Sequence, residues 1–412
     1  MSEYNIAIIG GGTSGCIAAI MASQNEKSVI LIERNDEIGK KILVTGNSRC
    51  NLTNRKIDSS RYHGANPEFI DAVLKSFDQN KTIRYFESLG LKTKEEDNGR
   101  IFPAGDKASD VVAVLNQKLK KNNVVVELNS LVRKIEKDKQ WKIKLENGKE
   151  IIADKLIITT GGKAAYSLGS SGDGYFWAEN FGHTITELNP SLVPIEIKEE
   201  WIKKVQGVKI VAKISTKLSE SVTPIAIQEK TGDVLFTHYG ISGPAAMAQG
   251  SAVAKNIFKM ISINIDLFPT INPNQLDNKI KYIFNNNGAK SIKNNLSHLI
   301  PLKLITTLLN NINIDPDKKS AEVSKNDRRK IVKYLKDIVL TPTGTRPFKE
   351  AQVTSGGIDV RGINSKTMES KKVSNLYFAG EIIDVDGDSG GFNLQWAWSS
   401  GHLAGYSASK TN

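Results

Sequence analysis

The sequence predicts an α/β protein whose parallel sheet begins at the N-terminus and is interrupted by an inserted domain, β-rich first and helical afterwards. Three observations predict it. Residues 4–9, YNIAII, are an apolar strand-like run followed at once by GGGTSG, a helical stretch over 13–25 and a second apolar strand over 28–32. Two later strand-like runs, 155–159 and 376–379, lead directly into Thr160-Gly161-Gly162 and Gly380-Glu381. Between residues 190 and 345 the pattern turns to alternating strands and then to amphipathic helices, before glycine-rich turns return.

The first segment has a physical reading. Gly10, Gly12 and Gly15 stand in the G-x-G-x-x-G spacing. The first glycine permits a tight strand-to-helix turn, the second leaves room for a pyrophosphate, and the third lets the helix pack closely on the strand. The helix N-terminus offers free N–H groups and the positive end of the helix dipole to phosphates. Glu33, at the tip of the second strand, can accept hydrogen bonds from ribose hydroxyls. Strand, turn, helix, strand and acid together predict a Rossmann-like dinucleotide site. The acid favours FAD or NAD over NADP, although Arg34 beside it keeps the phosphorylated form open.

The remaining elements follow in order. Residues 37–54 read as a loop. Helices are predicted over 67–79 and 82–89, a turn at Asp97-Asn98-Gly99, and a helix capped by Ser109 or Asp110 and running to about residue 122. Strands are predicted over 124–128, 131–137, 141–146, 150–153 and 155–159, with Asn147-Gly148 as a type I′ hairpin turn, and a helix over 173–181. The insertion contains the strand patterns VKIVAKIST, VTPIAIQE and KMISINIDLF and turns helical from residue 274. A last helix covers 394–409. The predicted division is 1–189, an insertion over 190–345 (β-rich to 270, helical from 271), and 346–412, the last closing the first domain.

Composition narrows the class. The 412 residues are 39% hydrophobic and 24% charged, as in a globular protein. A core strand starting at Tyr4 leaves no room for a signal peptide, and no apolar run is long enough for a membrane span. Cys16 and Cys50 form neither a C-x-x-C pair nor a disulfide framework, so a cytoplasmic location is expected. His63, His183, His298 and His402 lack metal-ligand spacing, and no metal is expected. The net charge is +12. Residues 318–336 hold eight Lys or Arg against Glu322 and Asp327, with Ile331, Val332 and Leu335 as the apolar face of a helix. Only Tyr334 interleaves, so this run reads as a solvated helix face, and nucleic acid is not the expected partner.

Several segments together carry a family resemblance: GKKILVTGNSRCNLTN (39–54), GRIFPAGDKASDV (99–111), TGGKAAYSLGSSGDGY (160–175), LFTHYGISGPA (235–245), EAQVTSGGIDV (350–360) and NLYFAGEIIDVDGDSGGFNLQWAWSSGHLAG (375–405). The chain resembles the BaiN/RsdA-like bacterial flavoproteins, a two-dinucleotide-fold family that includes aminoacetone oxidase and a bile-acid 4,6-enone reductase. Ser48 stands where glycine is frequent in that family.

The resemblance implies a glutathione-reductase-like FAD domain made from both ends of the chain, noncovalent FAD, and no separate NAD(P)H domain, so that NAD(P)H would visit transiently as electron donor. It implies that Gly10, Gly12, Thr13, Ser14 and Gly15 hold the pyrophosphate and Glu33 the adenosine ribose. Gly380 and Glu381 would lie along the ribitol and pyrophosphate. Gly390, Gly391, Phe392 and Asn393 would present backbone N–H groups to the flavin N1–C2=O edge. Arg34, Lys41, Gly46, Thr160 and Gly161 complete the expected cofactor set with Arg49, Cys50 and Asn51, whose loop is expected near the flavin. Arg49 reads as a flavin or phosphate contact, or else a structural salt bridge; Cys50 reads as a small buried residue rather than a redox group. His238 and Tyr239 are the candidate acid/base pair. The expected function is an FAD-dependent oxidoreductase that transfers hydride through flavin N5 and reduces an activated C=C bond in a small organic substrate. The alternatives are an amine oxidase producing H₂O₂ and a flavoprotein that binds or modifies nucleic acid. Oligomeric state is left open.

Overall fold

The computed structural model describes residues 2–218 and 225–410. The chain divides into two compact units, one formed by Met1–Asn189 with Gln352–Asn412 and the other by Pro190–Ala351. The second boundary falls six residues beyond the expected 345. Within the second unit, Arg346 N–H donates to the Pro194 carbonyl at 2.9 Å, and the Arg346 guanidinium pairs with Glu196 and Glu350 at 2.8 and 2.7 Å. These contacts hold residues 346–351 to the insertion.

In the first unit β1 (Ser2–Ile9) lies at the centre of a mixed sheet. It is flanked in parallel by β2 (Val29–Ile32) on one side and by the strand Glu150–Ile158 on the other, with Val125–Glu127 beyond β2. The two predicted strands over 150–153 and 155–159 are one continuous strand, Glu150–Ile158, with Asp154 exposed within it. Its first half pairs antiparallel with Trp141–Leu145, and its second half pairs parallel with Leu376–Phe378. The C-terminal segment thus enters the sheet opposite β1, placing three strand ends beside one another.

The Asn147-Gly148 hairpin is not type I′, which needs positive φ at both central residues. Gly148 has φ +83 while Asn147 is absent from the positive-φ residues; Gly148 N–H donates to Leu145 O, and Leu145 N–H to Lys149 O. This is a three-residue loop, a type I turn closed by a left-handed glycine. The predicted loop over 37–54 contains a short helix, Lys40–Val44, and a two-residue strand, Thr53–Asn54. The helix Ala108–Lys121 begins after Lys107 without a side-chain cap, so neither Ser109 nor Asp110 caps it. α1 spans Thr13–Ala22, and the last helix, Phe392–Ser409, begins two residues earlier than expected.

The second unit carries a seven-stranded sheet in the order 338–340, 261–266, 209–218, 225–236, 240–242, 195–197, 342–345. Its two outermost strands, Ile338–Leu340 and Pro342–Thr345, are separated in the chain by Thr341 alone, so the sheet curls into a barrel-like form. Helices Pro273–Asn286, Leu302–Asn311 and Lys325–Lys336 bury Leu276, Ile280, Leu304, Leu308, Ile331, Val332 and Leu335 in the unit's own core. The 318–336 run is therefore not one helix: Ser320–Glu322 is a short 3₁₀ turn, and Ser324 caps the helix that follows by accepting from Asp327 N–H. Residues 222–224 of the predicted VTPIAIQE strand lie outside the described residues. Among the described residues no helix is long and apolar enough to cross a membrane.

Two histidines tie the first unit's stability to pH. His183 is 4% exposed and bonded to Ser370 Oγ at 2.7 Å, and His402 stacks on Phe77 at 4.3 Å. Burial pushes both imidazoles down to about 4. The folded state binds fewer protons than the unfolded chain between about pH 6.5 and pH 4, so stability is complete above pH 6.5 and falls as pH drops through that window. Each ring contributes a loss of about 3 kcal/mol across the whole window. Thermal melts between pH 7 and pH 4 should show this fall, and His402→Phe should reduce its slope.

Candidate functional site

The glycines after β1 each meet a different environment. Gly10 has φ +106, and a Cβ there would lie 2.6 Å from Thr159 O. A Cβ on Gly15 would lie 1.8 Å from Gly10 O and 2.7 Å from Thr159 Oγ1. Thr159 Oγ1 itself donates to the carbonyls of Ile9 and Gly10 at 2.9 and 2.8 Å, which fastens the two strand ends together. Gly12 differs, since a Cβ there would meet nothing within 4 Å. The space it faces is a cradle beside the N-terminus of α1, whose N-cap is Gly12 and whose first turn has neither a side-chain cap nor an acidic residue. Ser14 is buried, and its hydroxyl lies 3.4 Å from Ala379 O.

The C-terminal helix packs parallel on α1 through glycine. A Cβ on Gly401 would lie 2.4 Å from Ser14 O, and one on Gly405 would lie 2.2 Å from Ala18 O. Gly401 comes nine residues after Phe392, so the C-terminal helix projects about 14 Å past the start of α1. Its N-cap, Gly391, has φ +99 and no side-chain cap. Two helix N-termini therefore face the same way, staggered along one axis. One suits a pyrophosphate, and the other suits a flavin ring at the far end of a ribityl arm.

Other expected residues sit around this frame. Glu33 is 7% exposed, and its carboxylate accepts from Gly11 N–H at 2.6 Å and from Asn35 N and Nδ2 at 2.8 Å each. Three donors thus orient it, leaving one lone-pair position for a ribose hydroxyl. Arg34 is paired with Asp173 and bonded to Ser171 Oγ at 2.8 Å. Lys41 Nζ donates to Glu381 Oε2 at 2.6 Å, and Thr354 N–H donates to Glu381 Oε1 at 2.9 Å. Thr354 Oγ1 also accepts from Lys163 and Ala164 N–H at 2.8 and 3.0 Å, lacing the Thr160-Gly161-Gly162 turn to Glu381. Gly161 has φ +73, and Thr160 Oγ1 is buried without a partner. Gly380, at φ +85, lies against Ser14, and its N–H donates to Ser400 Oγ at 2.9 Å.

The 46–51 loop is strained. Gly46, Asn47, Ser48 and Cys50 have φ between +57 and +62. Ser48 thus occupies a left-handed position, which accounts for glycine being suited there; a non-glycine residue costs about 1–2 kcal/mol. Of the two readings for Arg49, the geometry supports the salt bridge: the guanidinium joins Glu96 and Asp106 and stacks on Phe102 at 4.2 Å. Cys50 is fully buried, and burial pushes its thiol up to about 12, so at neutral pH it is an inert thiol. Asn51 is 9% exposed, and its Oδ1 has no partner.

At the helix N-terminus, Phe392 is buried against Tyr62, whose hydroxyl donates to Phe392 O at 3.0 Å. Gly390 has φ +120, and its carbonyl accepts from Asn54 Nδ2 at 2.8 Å. The Asn393 side chain braces the preceding turn, accepting from Gly387 N–H at 2.8 Å and donating to Gly387 O at 2.7 Å. His238 and Tyr239 belong to the second unit. They occupy the turn between strands Ile225–Phe236 and Gly240–Ser242, with His238 exposed, the rings 4.9 Å apart and the Arg346 guanidinium 4.9 Å over Tyr239. Thr159, Thr354 and Tyr62 escaped the sequence reading. Thr159 ends the predicted 155–159 strand and Thr354 lies inside the quoted EAQVTSGGIDV segment, whereas Tyr62 carried no signal. Among the described residues no three His, Cys, Asp or Glu are grouped to hold a metal.

A sheet-end cradle open at Gly12, two uncapped helix N-termini and unpartnered polar atoms at Thr160 and Asn51 fit a dinucleotide with a flavin at one end. They define an oxidoreductase of the flavoprotein class. The chain belongs to the HI0933-like family: the model described as "HI0933-like protein Rossmann domain" matches residues 4–407. It is similar to a 3-dehydro-bile acid delta(4,6)-reductase of Clostridium scindens, 36% identical over 409 residues that cover 98% of this chain and 99% of that protein. It is also similar to a ribosomal RNA dihydrouridine synthase of Escherichia coli, 33% identical over 400 residues, 97% of this chain and 96% of that protein. In fold it is similar to a 3-ketosteroid delta1-dehydrogenase of Sterolibacterium denitrificans, with TM-score 0.54 at 12% identity, covering 99% of this chain and 100% of that one.

The contrast between Gly12 and Gly15 can be measured. Gly12→Val should leave the flavin-free melting temperature nearly unchanged and weaken FAD binding at least tenfold, because its side chain fills only the cradle. Gly15→Ala should destabilise the fold itself by about 1–3 kcal/mol or more, because the added methyl overlaps backbone. Melting curves and flavin titrations of the two variants separate the effects.

Proposed function

We propose that the protein is an FAD-dependent reductase that saturates a carbon–carbon double bond conjugated to a carbonyl, with NADH or NADPH as a transient donor. The observation that carries this reading is the near full-length match to two relatives whose printed activities share one chemistry. A 3-dehydro-steroid with 4,6-unsaturation is a conjugated enone. Dihydrouridine is uridine whose ring double bond, conjugated to a carbonyl, has been saturated. Neither printed activity is amine oxidation, so the oxidase alternative draws no support from these relatives.

FAD, when bound, supplies reversible hydride transfer at N5. The chain's own groups do the rest. The N–H groups at the start of α1 would hold the pyrophosphate, and the open face of Gly12 would admit it. The uncapped N-terminus of the C-terminal helix would favour negative charge on a flavin edge placed against it, and so would raise the ring's tendency to accept electrons. Saturating a conjugated bond also requires a proton at the α-carbon, and His238 and Tyr239 are the proposed source. The two buried, unpaired cysteines support a cytoplasmic location.

Anaerobic mixing tests the reading. NADH or NADPH should bleach the oxidised flavin bands within seconds, and an added enone should restore them. Bands that persist with both nucleotides would overturn the donor assignment, and bleaching that no conjugated carbonyl reverses would overturn the substrate class.

A second reading, that the conjugated bond belongs to a uracil in RNA, is favoured by where the charge lies. Residues 190–351 hold 24 Lys and Arg against 14 Asp and Glu, net +10, while the rest of the chain is net +2. On the helix Lys325–Lys336, Lys325, Arg329 and Lys333 are exposed at four-residue spacing. Like charges so spaced destabilise a helix slightly, and a phosphate backbone would neutralise them. RNA binding should weaken steeply between 50 and 200 mM salt. A flat response, or no retention of ribosomal RNA at low salt, would eliminate this reading.

A further inference from the structure

The sheet of the second unit carries its apolar face past the end of its core. Residues opposite one another in an antiparallel sheet share a face, and so do alternate residues along a strand. On the strand Lys209–Leu218, Ile214 and Thr216 lie opposite Ile265 and Ile263, and this face is buried. Two residues further on, Leu218 lies opposite Ile261 on one side and Ile225 on the other. The row is still apolar there, but Ile225 is 65% exposed. The turn that leads into Ile261 extends it, with Phe258 fully exposed and Met260 73% exposed. Lys259 N–H donates to Asn256 O at 2.9 Å and closes this turn around Phe258.

The charge beside this apolar tip has one sign. Lys255 and Lys259 are exposed and form no ion pair among the described residues. No acidic residue occurs between Asp233 and Asp266 in the chain. We propose that this end of the sheet docks on an anionic lipid bilayer. Phe258 and Met260 enter the boundary between headgroups and acyl chains, and Lys255 and Lys259 meet lipid phosphates. A nucleic-acid backbone would answer the lysines but leave the apolar side chains in water. A second copy packed about a twofold axis through the tip would bring the lysines of both copies together. The exposed side chains of Phe258, Met260, Ile225 and Ile227 also fall far short of the roughly 20–30 residues a stable interface takes from each partner. Strand addition is opposed as well, because Ile225–Phe236 has a register shift that skips Ile227 and carries Glu229 and Lys230 beyond it. Only a charged bilayer meets the apolar and the cationic groups at once.

Co-sedimentation of the full-length protein with vesicles tests this. Phosphatidylcholine vesicles with about 30% phosphatidylglycerol should bind the protein at least tenfold more tightly than phosphatidylcholine alone, and raising salt from about 50 to 500 mM should weaken that binding several-fold. Phe258→Ser with Met260→Ser should weaken it at least tenfold and leave the melting temperature unchanged, because both side chains are mostly exposed. Lys255→Gln with Lys259→Gln should weaken it more than the same change at Lys325 and Lys333, which lie on another helix. As a direct readout, a polarity-sensitive dye on Phe258→Cys should shift its emission to the blue when vesicles are added. Both native cysteines are fully buried, so the label goes to the new one. No binding to anionic vesicles, or equal binding by the double serine variant, would overturn the proposal. A wild-type dimer that the serine variant dissociates in sedimentation velocity would overturn it in favour of a second copy. Loss of RNA retention in that variant, without vesicle binding by the wild type, would overturn it in favour of a nucleic acid.

Discussion

The close approach of α1 to its neighbours is the constraint on which the site depends. α1 touches the ends of β1 and of Glu150–Ile158 at Gly15 and touches the C-terminal helix at Gly401 and Gly405, each time with no room for a β-carbon. These contacts place one helix N-terminus beside the strand ends and carry the other forward along the same axis. A methyl group at any of them would separate the elements and alter the stagger between the two sets of free N–H groups. Apolar burial alone would tolerate such a shift. Binding a rigid ring and a diphosphate at fixed separation would not, since a charge–dipole contact at a helix end acts only within the terminal turn.

Around that frame, the charged side chains mostly position one another. Glu33 is oriented by Gly11 and Asn35, Lys41 by Glu381, and Arg49 by Glu96 and Asp106. Free charges would compete for the cofactor in several poses, whereas paired ones hold fixed geometry and leave backbone N–H groups as the principal donors. This suits a cofactor whose charge changes on reduction, because fixed dipoles need not reorganise when electrons arrive.

What was legible in the sequence was local. The spacing of Gly10, Gly12 and Gly15, the acid at Glu33 and the strand–glycine segments at 156–162 and 376–381 each state their geometry within a few residues. What was not legible depends on pairs far apart in the chain. Whether Arg49 meets a phosphate or carboxylates turns on Glu96 and Asp106, about fifty residues away, and on the left-handed backbone of Gly46, Asn47, Ser48 and Cys50 around it. Thr354 ties Glu381 to the 161–164 turn from some 190 residues downstream of that turn. The hairpin at Asn147-Gly148 was misread for a smaller reason: the dipeptide suits both a two-residue turn and a three-residue loop, and the register of Glu150 opposite Lys144 selects the longer one.

The division of charge bears on how one flavin scaffold can serve different substrates. The first unit, with its net charge of +2, contains the cofactor frame, while the insertion carries the excess of ten positive charges. Conjugate reduction makes the same electronic demand of the flavin whether the double bond sits in a steroid or a pyrimidine: hydride to one carbon and a proton to its neighbour. Selection between such substrates then falls to surfaces that meet the remainder of the molecule. A steroid offers apolar area, to which long-range charge contributes little. RNA offers a dense row of phosphates, to which it contributes most of the affinity. Within the insertion, Arg328 is held by Asp277 and Lys336 by Asp266, but Lys325, Arg329 and Lys333 stay exposed on the outer face of their helix. A helix that needed charge only for solubility would gain from alternating signs at that spacing; this one repeats a single sign. In the RNA reading proposed above, that repeated sign is the feature a phosphate backbone would neutralise.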